Sequence, residues 1–240
     1  MSNTSVALSD PWSVNNNQAG MAFQRQSSSG LYFENHYLLK ELCYQALALT
    51  FPTYSGVFGS SISYSGNSVF NTMKTGLAFA RKFGHHFSAG IQLDLLHTHI
   101  SEGYGSRTSG TFEAGLQLHL SDKLTFGTHV FNPIHARLSA YDDERIPTIM
   151  NAGFSYSYSG SLLITSELMK DSGTPLEFLS GIEYKFFGKG FARLGFAASP
   201  FRYSFGAGFV LNRLTLDVSS TYHEILGFSP QTSLQYTFGK

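Results

Sequence analysis

From Phe87 onward, apolar and polar residues alternate. One parity reads Phe87, Ala89, Ile91, Leu93 and Leu95; the other reads Ser88, Gly90, Gln92 and Asp94. The same period returns at Phe112, Ala114, Leu116, Leu118 and Leu120, opposed by Glu113, Gly115, Gln117 and His119. It returns again at Met150, Ala152, Phe154, Tyr156 and Tyr158, and at Tyr203, Phe205, Ala207, Phe209 and Leu211. A helix would space its apolar residues three and four apart, so a period of two predicts strands. Turn-forming residues divide the chain into fourteen such segments: 30–37, 41–52, 56–65, 71–83, 86–100, 110–121, 123–134, 147–159, 161–170, 175–187, 190–199, 202–212, 214–225 and 229–239. Twelve is the alternative count, because the first three segments are the least regular. Residues 42–51 are apolar on both parities, and 60–66 are nearly all small and polar.

Composition decides what the two faces meet. Charged residues make up 13% of the chain, about half the usual share of roughly 25%. There are 22 Phe, 13 Tyr and 24 Gly. The polar parity is rich in glycine (Gly90, Gly115, Gly127, Gly153, Gly181, Gly195, Gly206, Gly208) rather than the Lys and Glu of a water-facing surface. Small residues suit a narrow, filled or hydrated interior. The apolar parity carries aromatics near the segment ends, assigned as Phe83, Phe87, Phe126, Tyr156, Tyr158, Phe186, Phe191 and Phe238. Aromatic girdles of this kind mark outer-membrane barrels. No apolar run reaches the ~18 residues of a membrane helix. The expected fold is therefore all-β: a closed antiparallel transmembrane β-barrel of about 14 strands over residues 30–240, in the bacterial outer membrane and in contact with its lipids. On this reading Leu116→Arg impairs assembly, whereas Gln117→Arg, on the inner face, is tolerated.

Connections alternate between tight turns at 84–85, 121–123, 159–160, 188–189 and 212–213 and generally longer loops, of which 101–110 and 136–146 are the longest. Tight turns belong to the periplasmic rim, which puts both chain ends on that side. Residues 1–29 break the alternation and form an N-terminal non-strand segment, either frayed or folded into the lumen. Its plug candidates are Asn17, Gln18, Ala19 and Gly20. No basic n-region and apolar h-region opens the chain, so an export signal is expected to have been removed or to be encoded upstream of Met1.

Candidate chemistry is sparse. Lys+Arg and Asp+Glu both number 16, so no basic excess points to nucleic acid. The single cysteine, Cys43, excludes an intrachain disulfide framework and a multi-thiolate metal site. His97 and His99 share one face, but on the lipid-side parity at the outer rim, and His85 and His86 diverge from a turn. Neither pair predicts a metal site, and no cofactor is expected. The inward polar set is Asp94, Glu113, Gln117, His119, His129, Glu167, Glu183, Lys185, Arg193, Asp217 and His223. It mixes both signs, so no single-sign selectivity ring can be drawn; cross-strand pairing and lumen hydration are expected. Glu183, Lys185 and Arg193 flank one tight turn and are expected to form a small ion network. No nucleophile–base pair of the kind catalysis needs can be placed, so no enzyme is expected.

The segment Asn3-Thr4-Ser5-Val6-Ala7-Leu8-Ser9-Asp10-Pro11-Trp12-Ser13-Val14, followed by Asn17-Gln18-Ala19-Gly20-Met21-Ala22, resembles the start of the PorV/PorQ group of Bacteroidota barrels, related to the FadL long-chain fatty-acid transporters. Gln18 stands where that family has proline. Phe131-Asn132-Pro133 and the closing Leu234-Gln235-Tyr236-Thr237-Phe238 are similar to family features. The resemblance implies fourteen strands. It also implies one of two roles: a protein-interaction component of envelope or type IX secretion processes, with other envelope proteins as partners, or a FadL-like channel with a hydrophobic or amphipathic small molecule in its lumen.

Overall fold

The structure, a computed structural model, describes residues 1–101, 105–136 and 145–239. Fourteen strands follow one another: β1 (Ser28–Asn35), β2 (Cys43–Pro52), β3 (Val57–Gly66), β4 (Phe70–Phe83), β5 (Phe87–Ile100), β6 (Gly105–His119), β7 (Leu124–Phe131), β8 (Ile149–Ser159), β9 (Leu162–Asp171), β10 (Glu177–Phe186), β11 (Gly190–Ala198), β12 (Arg202–Leu211), β13 (Leu214–His223) and β14 (Gly227–Thr237). Each pairs antiparallel with its sequence neighbours, and β1 closes the cylinder on β14, from Ser28 opposite Thr237 to Glu34 opposite Gln231. Closure leaves no strand edge, which is the condition for crossing hydrocarbon.

Strand β6 starts at Gly105, inside the expected 101–110 loop, with Gly105 opposite Ile100. The remainder of that loop at 102–104, and 137–144 of the expected 136–146 loop, lie outside the described residues. Strand β7 stops at Phe131, where Asn132 turns the chain with a φ of 51°.

The two parities separate as alternation predicts. Leu77 and Leu93 are 68% and 65% exposed, whereas Ser88, Gln92 and Gln117 are fully enclosed. Outward aromatics pair across strands, Phe58 with Phe79 at 5.0 Å and Phe126 with Phe154 at 4.9 Å between ring centroids. Phe191 departs from its expected place. Its register partner is the inward-facing Lys185, and its ring lies inside the barrel, 5.2 Å from the Arg193 guanidinium and 5.6 Å from Lys185 Nζ. Residue type suggested a girdle position, but its parity with Arg193 fixes the inner face.

Much of the segment before Ser28 packs against the inner face of the cylinder. It forms a short helix α1 (Ser13–Asn16) and a 3-10 turn (Gln18–Phe23), and Val14, Met21 and Ala22 pack on wall residues Ala48, Val57, Ala78 and Ala80. This inner apolar cluster explains why β2 reads apolar on both parities: Leu47 and Leu49 face out while Ala46 and Ala48 face the segment.

Leu93 sits mid-strand on the lipid face, so Leu93→Arg should cost about 2–4 kcal/mol and Tyr158→Arg, near the periplasmic rim, about 0–1 kcal/mol. The check is the folded, heat-modifiable gel band: it should be lost or weakened for the first variant and retained for the second.

Candidate functional site

The site is the lumen and the segment that fills it. The inward glycines show how the two fit. A Cβ on Gly90 would stand 2.6 Å from the Gln18 carbonyl carbon and 2.7 Å from Ala19 N. One on Gly59 would meet Met21 Sδ at 2.7 Å, and one on Gly195 would meet Ser2 N at 2.5 Å. The wall lacks side chains where the segment's backbone runs, a close approach that only glycine permits.

Polar side chains then hold the segment by its backbone. Gln117 Nε2 donates to the carbonyls of Val6 at 3.1 Å and Leu8 at 2.8 Å, and its Oε1 accepts from Ser9 Oγ at 3.2 Å. Gln117 is thus a clamp, so the expected tolerance of Gln117→Arg is corrected: its site is fully enclosed, and the longer cation cannot accept the Ser9 hydroxyl. Glu167 accepts the backbone N–H groups of Ser5 at 2.9 Å and Val6 at 3.1 Å, and the Asn151 amide at 2.7 Å. Ser88 Oγ donates to the carbonyl of Ala19 at 2.9 Å.

The plug candidates lie on the β5–β6 wall. Asn17 Nδ2 donates to the carbonyls of Val6 at 2.6 Å and Leu116 at 3.2 Å, while its Oδ1 caps the 3-10 turn by accepting from Ala19 N. Gln18 Nε2 donates to Glu113 Oε2 at 2.7 Å, a bond unavailable to the proline that the resembling family carries there. Gly20 is enclosed between Ser13 Oγ and Gln117 Nε2, which a Cβ would approach to 2.7 and 3.1 Å.

Glu113 is the centre of a buried cluster. It receives Lys74 Nζ at 2.6 Å, His129 Nε2 at 3.0 Å and the Gln18 amide. Beside it, Gln92 Nε2 donates to Asp94 Oδ1 at 2.8 Å. A second cluster joins three strands: Arg193 bridges Glu183, at 2.6 Å, and Asp217. The expected third member, Lys185, stacks on Phe191 instead, and Asp217 takes its place because β13 lies within reach of β11 across β12. His119 packs against Phe23 of the segment at 4.1 Å between centroids, and His223 lies at the outer rim. Lys74, Gln92, Asp10 and Arg202 were not singled out from sequence; Lys74 shares parity with Gly76 and Ala78, a signal that was there to read.

Asp10, in the plug, has its carboxyl raised above the ordinary 3.8 by burial, against backbone N–H bonds from Trp12 and Ser13 and the attraction of Arg193. A small cavity of about 110 Å³ remains between plug residues Ser2 and Asn3 and the outer ends of β1 and β12–β14. Among the described residues no cluster of three or more His, Cys, Asp or Glu side chains could hold a metal.

No family model and no curated protein matches the chain. Solved structures do match. The Ralstonia pickettii toluene transporter TbuX aligns with a TM-score of 0.78 at 12% identity, covering 100% of this chain and 97% of that one. A Pseudomonas aeruginosa FadL homologue aligns at 0.72 and 15% identity, covering 99% and 96%. The CymD monoaromatic hydrocarbon channel aligns at 0.72 and 12%, covering 96% and 94%. The chain shares their fold along its whole length. None of these three is named as a PorV/PorQ barrel. A closed barrel of this fold with an apolar outer belt resides in the bacterial outer membrane.

Glu113→Ala leaves Lys74 buried without its partner and should lower stability by about 3–5 kcal/mol, read as a shift in the urea midpoint of the detergent-solubilised barrel. Gly90→Val should push residues 17–20 off the wall and speed protease cleavage of the segment without loss of the folded band. Asp10 gives a pH dependence. A carboxyl raised on folding contributes stability that is complete below its unfolded value and is lost as pH rises through the raised folded value. Plug seating, followed by the same cleavage rate, should therefore be firmest in acid, and Asp10→Asn should flatten the profile.

Proposed function

We propose that the chain is a plugged outer-membrane channel of FadL type that admits small hydrophobic or amphipathic molecules, with the N-terminal segment as the movable barrier. The observation carrying this reading is full-length likeness in fold to proteins named as toluene and monoaromatic hydrocarbon transporters, combined with an N-terminal segment lodged in the lumen. The segment is held by many separate hydrogen bonds, each about 0.5–1.5 kcal/mol net, so it can leave the wall a few contacts at a time.

One observation favours a second reading. The plug contacts strands all round the wall, from β1 to β12 and β14, and the cavity it leaves is lined largely by polar groups. A closed barrel of that kind suits a PorV/PorQ-like interaction role, with loops binding envelope or secretion proteins.

Uptake of radiolabelled toluene by cells carrying or lacking the barrel separates the two. Faster uptake, further raised by Gln117→Ala, is expected for the channel. Equal uptake in all three strains, with recovery of envelope proteins on the purified barrel, would leave the interaction role standing.

A further inference from the structure

The two rims of the barrel differ in charge. The rim of tight turns, periplasmic by that feature, carries Arg81, Lys123, Lys189 and Arg213, all exposed. Lys123, Lys189 and Arg213 stand on the β6–β7, β10–β11 and β12–β13 turns. Arg81 lies near the end of β4, opposite Ala89 and on the lipid-facing parity of Leu77 and Phe83. Asp122 is the one acid on the turns of this rim. Glu183, the acid of β10, is committed to Arg193 at 2.6 Å. The opposite rim mixes signs, with Glu41, Asp171 and Glu224 among Lys40 and Lys170.

Two further lysines at the periplasmic end are taken up by contacts with phenylalanine rings. Lys82 Nζ lies 4.2 Å from the Phe23 ring centroid of the plug, and Lys185 stacks on Phe191. The four rim cations differ from these: no carboxylate among the described residues pairs with any of them. Their depth identifies what they meet. The connections at these four places are two to four residues long. At about 3.3 Å per extended residue, a hairpin of that length rises roughly 7 Å at most beyond its strand ends. The polar layer of one leaflet is roughly 5–8 Å deep. Exposed Phe83 and Phe187 mark the level at which hydrocarbon gives way to that layer. The cations therefore lie at headgroup depth, and an unpaired positive excess there is matched by lipid of net negative charge.

We infer that the periplasmic rim selects anionic phospholipid, of the phosphatidylglycerol type, with Arg81, Lys123, Lys189 and Arg213 as its headgroup contacts. Lys and Arg near an anionic membrane surface each add to the attraction, and four spaced around the rim form a belt instead of a single pocket. The inference goes beyond the channel reading and does not depend on which compound crosses the barrel.

Spin-labelled phosphatidylglycerol and phosphatidylcholine test it, each doped into phosphatidylcholine vesicles holding the folded barrel. The readout is the fraction of each label immobilised at the protein. A cation at the surface favours the anionic lipid about fivefold at its own position, so averaged over all lipids in contact a preference of about twofold is expected. Replacing all four cations by Gln should bring the two labels to parity, whereas Lys40→Gln with Lys170→Gln, at the opposite rim, should leave the preference intact. Equal immobilisation of both labels by the wild type overturns the inference, as does an equal loss in the opposite-rim variant or none in the fourfold variant. Capture of soluble polyglutamate by a wild type that shows no lipid preference would assign the rim to an acidic protein and also overturn it. Should the fourfold variant give no folded band, Lys123→Gln with Lys189→Gln, both on turns, carries the same comparison. Toluene uptake is measured separately, so failure of either proposal leaves the other readable.

Discussion

Hydrocarbon offers no partner to a backbone N–H or C=O, and every other feature of this chain follows from that constraint. The sheet has to close, and β1 meets β14 to close it. A closed sheet of fixed strand number has a bore of fixed width, and that bore has to be filled or wetted. Here the chain fills it with its own first residues. The inner face is consequently designed against a backbone, with glycine where the backbone touches and amide or carboxylate side chains where its polar groups need partners.

That design sets the character of the interior. Gln117 grips two carbonyls and one hydroxyl of the segment, and Glu167 two of its N–H groups. Lys74 is paired with Glu113, and Arg193 with Glu183 and Asp217. Unpaired, each would carry a penalty of several kcal/mol. The Glu113 set includes Gln18 of the segment, so the wall's electrostatics and the seating of the segment are one system. Anything crossing the bore has to exchange these contacts in turn.

Much of the fold was legible because lipid on one side and protein on the other enforce a strict period of two, as at 87–95. Strand β6 was clipped at its start because residues 105–110 are small or polar on both parities and carry no alternation. Phe191 was misplaced by reading residue type over register. The inner polar set was legible by parity, but its grouping was not. Arg193 meets Asp217 from a strand two places away in the sheet, a proximity set by register and not by sequence spacing. The clamp role of Gln117 was hidden because its partners, Val6 and Leu8, contribute carbonyls, which no side-chain pattern reveals.

Trp12 adds a chronology. Its indole N–H donates to Ser233 Oγ of β14 at 3.0 Å, and its ring rests where Gly30 of β1 has no side chain. A residue that precedes β1 therefore finds one of its anchors on β14, the strand that closes the barrel. The segment cannot finish docking until the seam between the two termini exists, so biogenesis of the wall and internal stoppering end in the same event. A barrel caught half-assembled in the membrane would be unlatched as well as unsealed.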